Sequence, residues 1–405
     1  MTIDPYKGVR DFYPEDERVQ KHIFGAMRRA SESFGYEEYN ASILESTELY
    51  MAKTSEEIVN EQTYTFTDRG DRSVTLRPEM TPTVARMVAS RKRELGFPLR
   101  WYSIQNFFRY ERPQRGRLRE FWQLNADLFG VTGIAADVEV IALAYRVMIE
   151  LGASEADFVI KIGSRSALDA ELTHRQIPAI NHKKIAALMD RKGKIPQEEY
   201  EDEMNALAGG ALEIHESGDI AETRRQLATL GIRNTEFNPE IVRGFQYYTG
   251  IVFEVFDTNP ENKRSMFGGG RYDNLVGQYD SEDVPAVGFA MGDVIARDFL
   301  ETHNLMPTLT PATQLYLAPF GESNAENVAQ IADTLRNSGV NIAVGMKHEK
   351  IGDHIKTALK LAIPYFAVYG EKEKESGTLT IKTLATSSEK TLPLSEIPSF
   401  LNAKP

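Results

Sequence analysis

Residues 101–129 constrain this chain more than any other stretch. Two apolar, aromatic runs, WYSIQNFFRY (101–110) and REFWQLNADLF (119–129), flank the loop ERPQRGRL. Side chains alternate across a strand, so Gln123 and Asp127 share one face, and Trp122, Leu124, Ala126 and Leu128 share the other. Arg109 alternates with Phe108 and Tyr110 inside what reads as a buried strand, and a charge placed there needs a partner. Five arginines (Arg109, Arg112, Arg115, Arg117, Arg119) fall within 109–119. On rigid strands their planar forks suit phosphate or carboxylate, and in a loop they can close over a polyanion. A solvated hairpin tip balancing nearby acids is the plainer alternative.

Around this hairpin the chain separates into three regions. Residues 15–34 predict an amphipathic helix with Val19, Ile23, Met27 and Phe34 on one side, and 63–78 predict a hairpin turning at Asp68-Arg69-Gly70-Asp71. Thr81 is expected as the N-cap of a helix with Pro82 at its first position. A further helix is expected at 134–151. Residues 166–232 read as a charged helical module set into a sheet-based domain, with β-rich sequence resuming at 238–275. From 311 onward strands at 313–318, 340–345, 365–369 and 377–393 (a hairpin) alternate with helices at 323–338 and 350–361. That alternation predicts a small α/β domain with a parallel core, after a linker marked by Pro307 and Pro311.

The 405 residues give room for two or three domains with real cores. The absence of cysteine excludes disulfides, Fe–S clusters, Cys-based zinc sites and a thiol nucleophile, and fits a reducing cytoplasm. No apolar run approaches the roughly 20 residues of a membrane span. The first residues lack a secretory pattern. The net charge of −12, taken alone, argues against a nucleic-acid partner. None of the seven histidines is spaced as HExxH, so a histidine-based metal or acid/base centre is not expected; His182 and His215 read as surface residues of the helical module.

Other segments offer binding chemistry. Glu79, in LRPEMT, stands where a strand gives way to a helix, and could hold an ammonium group or serve only as a helix-start acid. Arg243-Gly244-Phe245-Gln246-Tyr247-Tyr248-Thr249-Gly250 precedes the strand IVFEVF, and Gly268-Gly269-Gly270-Arg271-Tyr272-Asp273 follows it. Glycine lets backbone approach a ligand closely, and paired tyrosines make an amphipathic wall. Neither segment is a GxGxxG or Walker A motif.

Taken in order, these segments resemble the histidyl-tRNA synthetase family of class II aminoacyl-tRNA synthetases. Lys7–Phe12 looks like the family's opening. Residues 107–130 are similar to motif 2, residues 242–254 and 268–273 to the two histidine-specific motifs, and 285–292 to the start of motif 3; the last 95 residues resemble the anticodon-binding domain. The resemblance implies an α+β fold: a class II antiparallel sheet flanked by helices (1–165 and 233–306), a helical insertion (166–232) that clamps the acceptor stem, and a C-terminal α/β anticodon-binding domain (311–405). It implies a cytoplasmic homodimer that uses ATP and Mg²⁺ with L-histidine and tRNA(His) as substrates, and no membrane association. Arg109 would bind the ATP α-phosphate and the substrate carboxylate, Glu111 the adenine side or a metal on the phosphates, and Arg117 the outer phosphates. Arg243 would stabilise charge on the α-phosphate. Glu79, Thr81, Gln123 and Asp127 would hold the histidine ammonium, with Tyr247, Tyr248 and Tyr272 around the imidazole. Gln114 and Arg115 would meet the tRNA acceptor end.

Three positions depart from the family pattern. The motif 3 arginine is Ile295, with Arg297 two places on and pointing away; the motif 1 proline is Ser42; the aspartate before the paired tyrosines is Gln246. The first implies that another cation holds the outer phosphates. It also keeps open a histidine-sensing paralogue resembling the regulatory subunit of ATP phosphoribosyltransferase. Residues 311–405 hold ten Lys/Arg and ten Asp/Glu, so the whole negative charge lies in 1–310, the stretch that carries the five-arginine loop. Nucleic-acid contact is therefore expected at small basic patches.

Overall fold

The computed structural model describes residues 3–51, 62–111, 116–192, 195–242, 247–262, 264–279, 282–321, 325–346 and 350–403. They form two compact units, one containing Val19–Met306 and the other Pro307–Pro405.

The larger unit is built on an eight-stranded sheet, ordered β1 (Glu37–Glu38), β5 (Leu99–Phe108), β6 (Glu120–Phe129), β11 (Ala286–Gly292), β10 (Ser265–Arg271), β9 (Ile251–Asp257), β7 (Phe158–Ser164) and β8 (Thr235–Phe237). The six strands from β5 to β7 are antiparallel throughout, and only the marginal pairs β1–β5 and β7–β8 are parallel. A second sheet has β4 (Ser73–Leu76) between β2 (Leu44–Ser46) and β3 (Tyr64–Thr67). The expected turn at 68–71 forms because Asp68 Oδ1 accepts from the backbone N–H of Gly70 at 2.8 Å and Arg72 at 3.0 Å, while Asp71 takes a positive φ.

One face of the large sheet closes a dry core. Ile104, Leu124, Ala126, Leu128, Phe289 and Phe253 pack against α1 (Pro14–Ser33), α4 (Ile134–Glu150) and α9 (Asp293–Thr302), which contribute Ile23 and Met27, Ile141 and Val147, and Phe299. Between β7 and β8 run α5 (Arg165–His174), α6 (Ala179–Asp190), α7 (Gln197–Ala208) and α8 (Gly218–Thr229). The first three share a small core of their own around Leu168, Leu172, Leu188 and Met204, whereas α8 joins the main core through Ile220 and Leu227. Among the described residues this unit also has α2 (Thr47–Met51) and α3 (Thr81–Arg91).

The smaller unit has a five-stranded sheet ordered β13 (Ile342–Val344), β12 (Leu315–Pro319), β14 (Tyr365–Tyr369), β15 (Thr378–Thr383) and β16 (Glu389–Pro393). The first three are parallel, as the alternation predicted, and the last two form the expected antiparallel hairpin. Helices α10 (Ala325–Asn337) and α11 (Ile351–Lys360) match expectation; the short α12 (Glu371–Ser376) and α13 (Ile397–Asn402) did not stand out as periodic sequence.

Several expectations need correction. Thr81 is the first residue of α3, not its cap: the backbone is already helical at Met80 (φ −98°, ψ −30°), and no side chain caps the end. Arg109 lies one residue beyond β5, although its N–H still bonds to the Arg119 carbonyl at 2.9 Å. Among described residues the β-rich stretch is confined to β9 and β10. His215 is exposed, but His182 is half-buried, its Nε2 3.0 Å from the Ile177 carbonyl.

Candidate active site

The other face of the large sheet is polar and glycine-lined. Asp127 on β6 stands opposite Gly288 on β11, which stands opposite Gly270 on β10. A Cβ on Gly288 would lie 2.0 Å from Asp127 Oδ1, so only glycine leaves room for this carboxylate. Asp127 is 4% exposed and accepts a 2.5 Å hydrogen bond from the Tyr272 hydroxyl. Burial pushes its pKa up to about 7, opposed by that hydrogen bond.

Tyr272 is held from behind. The preceding Arg271 leaves β10 and bonds to Asp137 in the first turns of α4, to the carbonyls of Val131 (3.3 Å) and Gly133 (2.6 Å), and to Asp273 (3.1 Å). Asp137 is 1% exposed, and its pKa is pushed up to about 6 by burial against the pull of Arg271. A buried pair of this kind specifies geometry more than it adds stability. It was not singled out in the sequence; an arginine ending an apolar strand beside three glycines was the available signal.

Around Asp127 the aromatic residues converge. Tyr247 lies 4.9 Å from Tyr248 and 5.8 Å from Tyr272, centroid to centroid, and its hydroxyl donates to Glu79 Oε2 at 3.1 Å. Glu79 is itself buried, and Thr81 and Gln123 are half-buried. Because Thr81 caps nothing, its hydroxyl is not spent on the helix end. The structure thus brings together Glu79, Asp127, Tyr247, Tyr248 and Tyr272, with Gln123 on the same strand face as Asp127.

The charged end lies where β5 and β6 leave the sheet. Arg109 donates through Nε to the Pro78 carbonyl at 2.9 Å, and its guanidinium sits 5.3 Å above the Phe121 ring. Glu111 lies between two arginines, 3.9 Å from Arg109 and 3.3 Å from Arg117. Beneath them Arg77, fully buried, donates to the carbonyls of Asn106 and Ala41 and to Gln105 Oε1, fixing β4 to β5. The N-terminal segment crosses this end: Arg119 N–H bonds to the Gly8 carbonyl, and the Arg119 guanidinium lies 3.9 Å from the Tyr110 ring.

At the motif 3 position, Ile295 packs on the hairpin loop, its Cδ1 2.8 Å from where a Cβ of Gly116 would be. Arg297 is turned away and paired with Glu301 at 2.9 Å, as its helical offset predicted. Arg10 pairs with Asp293 at 2.7 Å and lies over Phe12, which packs on Trp122, the strand face opposite Phe121. Each of these two arginines is thus paired with a carboxylate of α9. Arg243, Gln114, Arg115 and Gln246 lie outside the described residues. Among the described residues, no group of three or more His, Asp or Glu could hold a metal, and no helix is long and apolar enough to cross a membrane.

An antiparallel sheet with arginines around a carboxylate at one end and a buried polar cluster further in has the make-up of a class II aminoacyl-tRNA synthetase. Residues 8–293 match the family model for histidyl-tRNA synthetase, and residues 314–404 the model for an anticodon binding domain. The chain is 39% identical to the histidine–tRNA ligase of Leptospira biflexa, across 98% of this chain and 96% of that one. It is 34% identical to that of Thermoplasma volcanium, across 99% of each. Its fold matches apo histidyl-tRNA synthetase of S. aureus (TM-score 0.78, 23% identity, 99% of this chain and 100% of that one). It also matches an ATP phosphoribosyltransferase regulatory subunit/histidyl-tRNA synthetase from Bacillus halodurans (TM-score 0.71, 20% identity, 91% and 99%). The chain belongs to the histidyl-tRNA synthetase family, and is an aminoacyl-tRNA ligase.

Proposed function

We propose that the larger unit activates L-histidine with ATP and transfers it to the 3′ end of tRNA(His). One observation carries the reading: Arg109, Glu111 and Arg117 gather where β5 and β6 leave the sheet, and the buried, hydrogen-bonded Asp127–Tyr272 pair lies further in on the same face. Glu79, Thr81 and Gln123 hold the ammonium. Asp127, which the resemblance groups with them, we place with Tyr247, Tyr248 and Tyr272 around the imidazole, because it is buried and bonded to Tyr272.

Arg109 binds the α-phosphate and the histidine carboxylate, and Arg117 takes the outer phosphates, the role left open by Ile295. A histidine carboxylate oxygen attacks the α-phosphorus in line, the bond to pyrophosphate breaks, and negative charge gathers on the equatorial oxygens. Arg109 and Arg243 stabilise that charge and hold the reactants in place, so no protein nucleophile is needed. The terminal ribose hydroxyl of the tRNA then attacks the adenylate carbonyl and AMP leaves. Gln114 and Arg115 meet the acceptor end. Mg²⁺ enters with ATP and commonly needs only one or two protein carboxylates; Glu111 is the carboxylate that suits it here, and the ion would neutralise phosphate charge.

The same reading assigns 1–165 with 233–306 to catalysis, 166–232 to the acceptor stem, and 311–405 to the anticodon, in a cytoplasmic homodimer formed through motif 1 around Ser42. Histidine-dependent exchange of pyrophosphate into ATP tests the reading. Exchange is expected; histidine binding without exchange would favour the sensing paralogue, for which Ile295 is the one supporting residue. Arg243→Ala should cut adenylate formation far more than histidine affinity, and an equal loss of both would contradict its role.

A further inference from the structure

No ligand role falls to Arg119, the last arginine of the hairpin, and its contacts are with the protein itself. Its carbonyl accepts from the Arg109 N–H at 2.9 Å, and its own N–H donates to the Gly8 carbonyl at 2.7 Å. Its Nε donates to the Glu111 carbonyl at 3.2 Å and its Nη1 to the Tyr6 hydroxyl at 2.9 Å. The guanidinium lies 3.9 Å from the centre of the Tyr110 ring and 5.5 Å from that of Tyr6. Tyr110 is fixed in turn: its N–H bonds to the Gln62 carbonyl at 2.7 Å, and its ring lies 5.5 Å from that of Tyr64. Gly8 has a φ of +89°, and a Cβ there would lie 2.7 Å from Arg119 Cγ, so glycine lets the N-terminal segment rest directly on Arg119.

This cluster lies at the surface: Tyr6 is 58% exposed and Tyr110 48%. Exposed cation–π contacts and hydrogen bonds add little to folding, and ordering a long side chain costs conformational entropy. The fold as a whole therefore gains little from it. What it does fix is one peptide. Glu111 lies beyond the end of β5, where the ladder no longer sets the backbone, and Arg119 takes hold of its carbonyl. The Glu111 N–H turns back onto the Arg109 carbonyl at 2.8 Å. The Glu111 carboxylate stands between Arg109 at 3.9 Å and Arg117 at 3.3 Å, so the orientation of this peptide governs where both guanidinium groups lie.

We propose that Arg119 is a positioning residue of the activation step. Braced by Tyr6 and Tyr110, it holds the Glu111 peptide so that Arg109 and Arg117 meet the ATP phosphates as a pre-set pair, and it touches no substrate itself. Cations fixed in advance need no reorganisation as charge develops on the phosphate, and a small misplacement of such a grip is expensive. The inference rests on the reading of Arg109, Glu111 and Arg117 as the phosphate end of the site.

Pyrophosphate exchange and thermal melting of the full-length protein test it. Arg119→Ala is expected to raise ATP KM about tenfold and lower kcat severalfold, with histidine KM within about twofold of wild type and the melting temperature lowered by no more than about 2 °C. Arg119→Lys keeps the charge but lacks the fork that spans the Glu111 carbonyl and the Tyr6 hydroxyl, so its ATP KM stays within about threefold of that of Arg119→Ala. Tyr6→Phe deletes one exposed oxygen and raises ATP KM about two- to threefold with no change in melting temperature; it carries the test if the Arg119 variants fold poorly. Because Arg119 acts through the phosphate grip, the double variant Arg117→Ala/Arg119→Ala loses less than the product of the two single losses. An ATP KM within about twofold of wild type in folded Arg119→Ala overturns the proposal, as does a parallel rise of both KM values with a melting temperature lowered by more than about 5 °C. Recovery of the wild-type ATP KM by Arg119→Lys, which would mark Arg119 as a direct phosphate ligand, or a fully multiplicative loss in the double variant overturns it too. Arg117→Ala alone separates the two readings. If it leaves ATP KM unchanged, the phosphate-end assignment has failed; if it raises ATP KM while Arg119→Ala does not, only this inference falls.

Discussion

The two faces of the large sheet are made by the same strands, yet they obey opposite rules. On β6, Leu124, Ala126 and Leu128 enter a dry core with α1, α4 and α9, while Gln123, Asn125 and Asp127, one residue out of step, face the site. The first face is filled by shape. The second is kept clear by the glycine at 288, which makes room for a carboxylate whose burial already displaces its proton equilibrium. The contrast shows where stability and function are kept apart: the apolar face supplies the folding free energy that tolerates buried, titration-shifted groups on the other.

The comparison can be broken from either side. The largest expected effect is on the apolar face: Leu124→Ala should cost about 2–5 kcal/mol by chemical denaturation, with both KM values unchanged in the protein that remains folded. A KM change there would mean the faces are coupled. On the polar face Arg109→Ala should lower kcat/KM for exchange about 10²–10³-fold with little change in melting temperature, because its guanidinium is spent on the ligand end rather than on the core.

Gly288→Ala places a methyl against Asp127 and should raise histidine KM by tens of fold, on the order of 2 kcal/mol, while sparing ATP KM. A normal histidine KM would show that Asp127 is not positioned by that glycine. Asp127 also predicts a pH signature. Its folded pKa, about 7, lies above the ordinary carboxyl value of 3.8, so the folded state holds more protons between the two. Its contribution to stability is complete below about pH 4 and is lost as pH rises through about 7, a decline on the order of a few kcal/mol. Asp137 acts with the same sign toward pH 6. Asp127→Asn should remove the first part of that slope in urea unfolding across pH 4–8; an unchanged slope would deny the buried carboxyl. Smallest of all, Arg297→Ala should leave ATP KM within about twofold, since its partner is the exposed Glu301.

Much of the site was legible because strand alternation and residue chemistry coincide. The spacing of Gln123 and Asp127, the aromatic flanks of the arginine loop, and the glycine run before Arg271-Tyr272 each identify side chains by type and face. Thr81 was misjudged because a Thr-Pro pair reads as a cap unless the preceding backbone is known to be helical already. The Arg271–Asp137 pair gave no such signal, because it joins the end of β10 to the start of α4 across 134 positions of the chain.

By itself, then, the sequence determined the strand periods, the α/β alternation after residue 311, the absence of thiol chemistry, and the residue types available for phosphate, carboxylate and ammonium. These are local properties, decided by period and chemistry within a few residues. Only the tertiary structure decided which of them meet: that Asp127 bonds Tyr272 across β11, that Glu79 bonds Tyr247 from 168 positions away, that Arg271 is locked to Asp137, and that Arg10 pairs with Asp293. Those pairings depend on strand order and register, which chain segments set jointly and no single segment encodes.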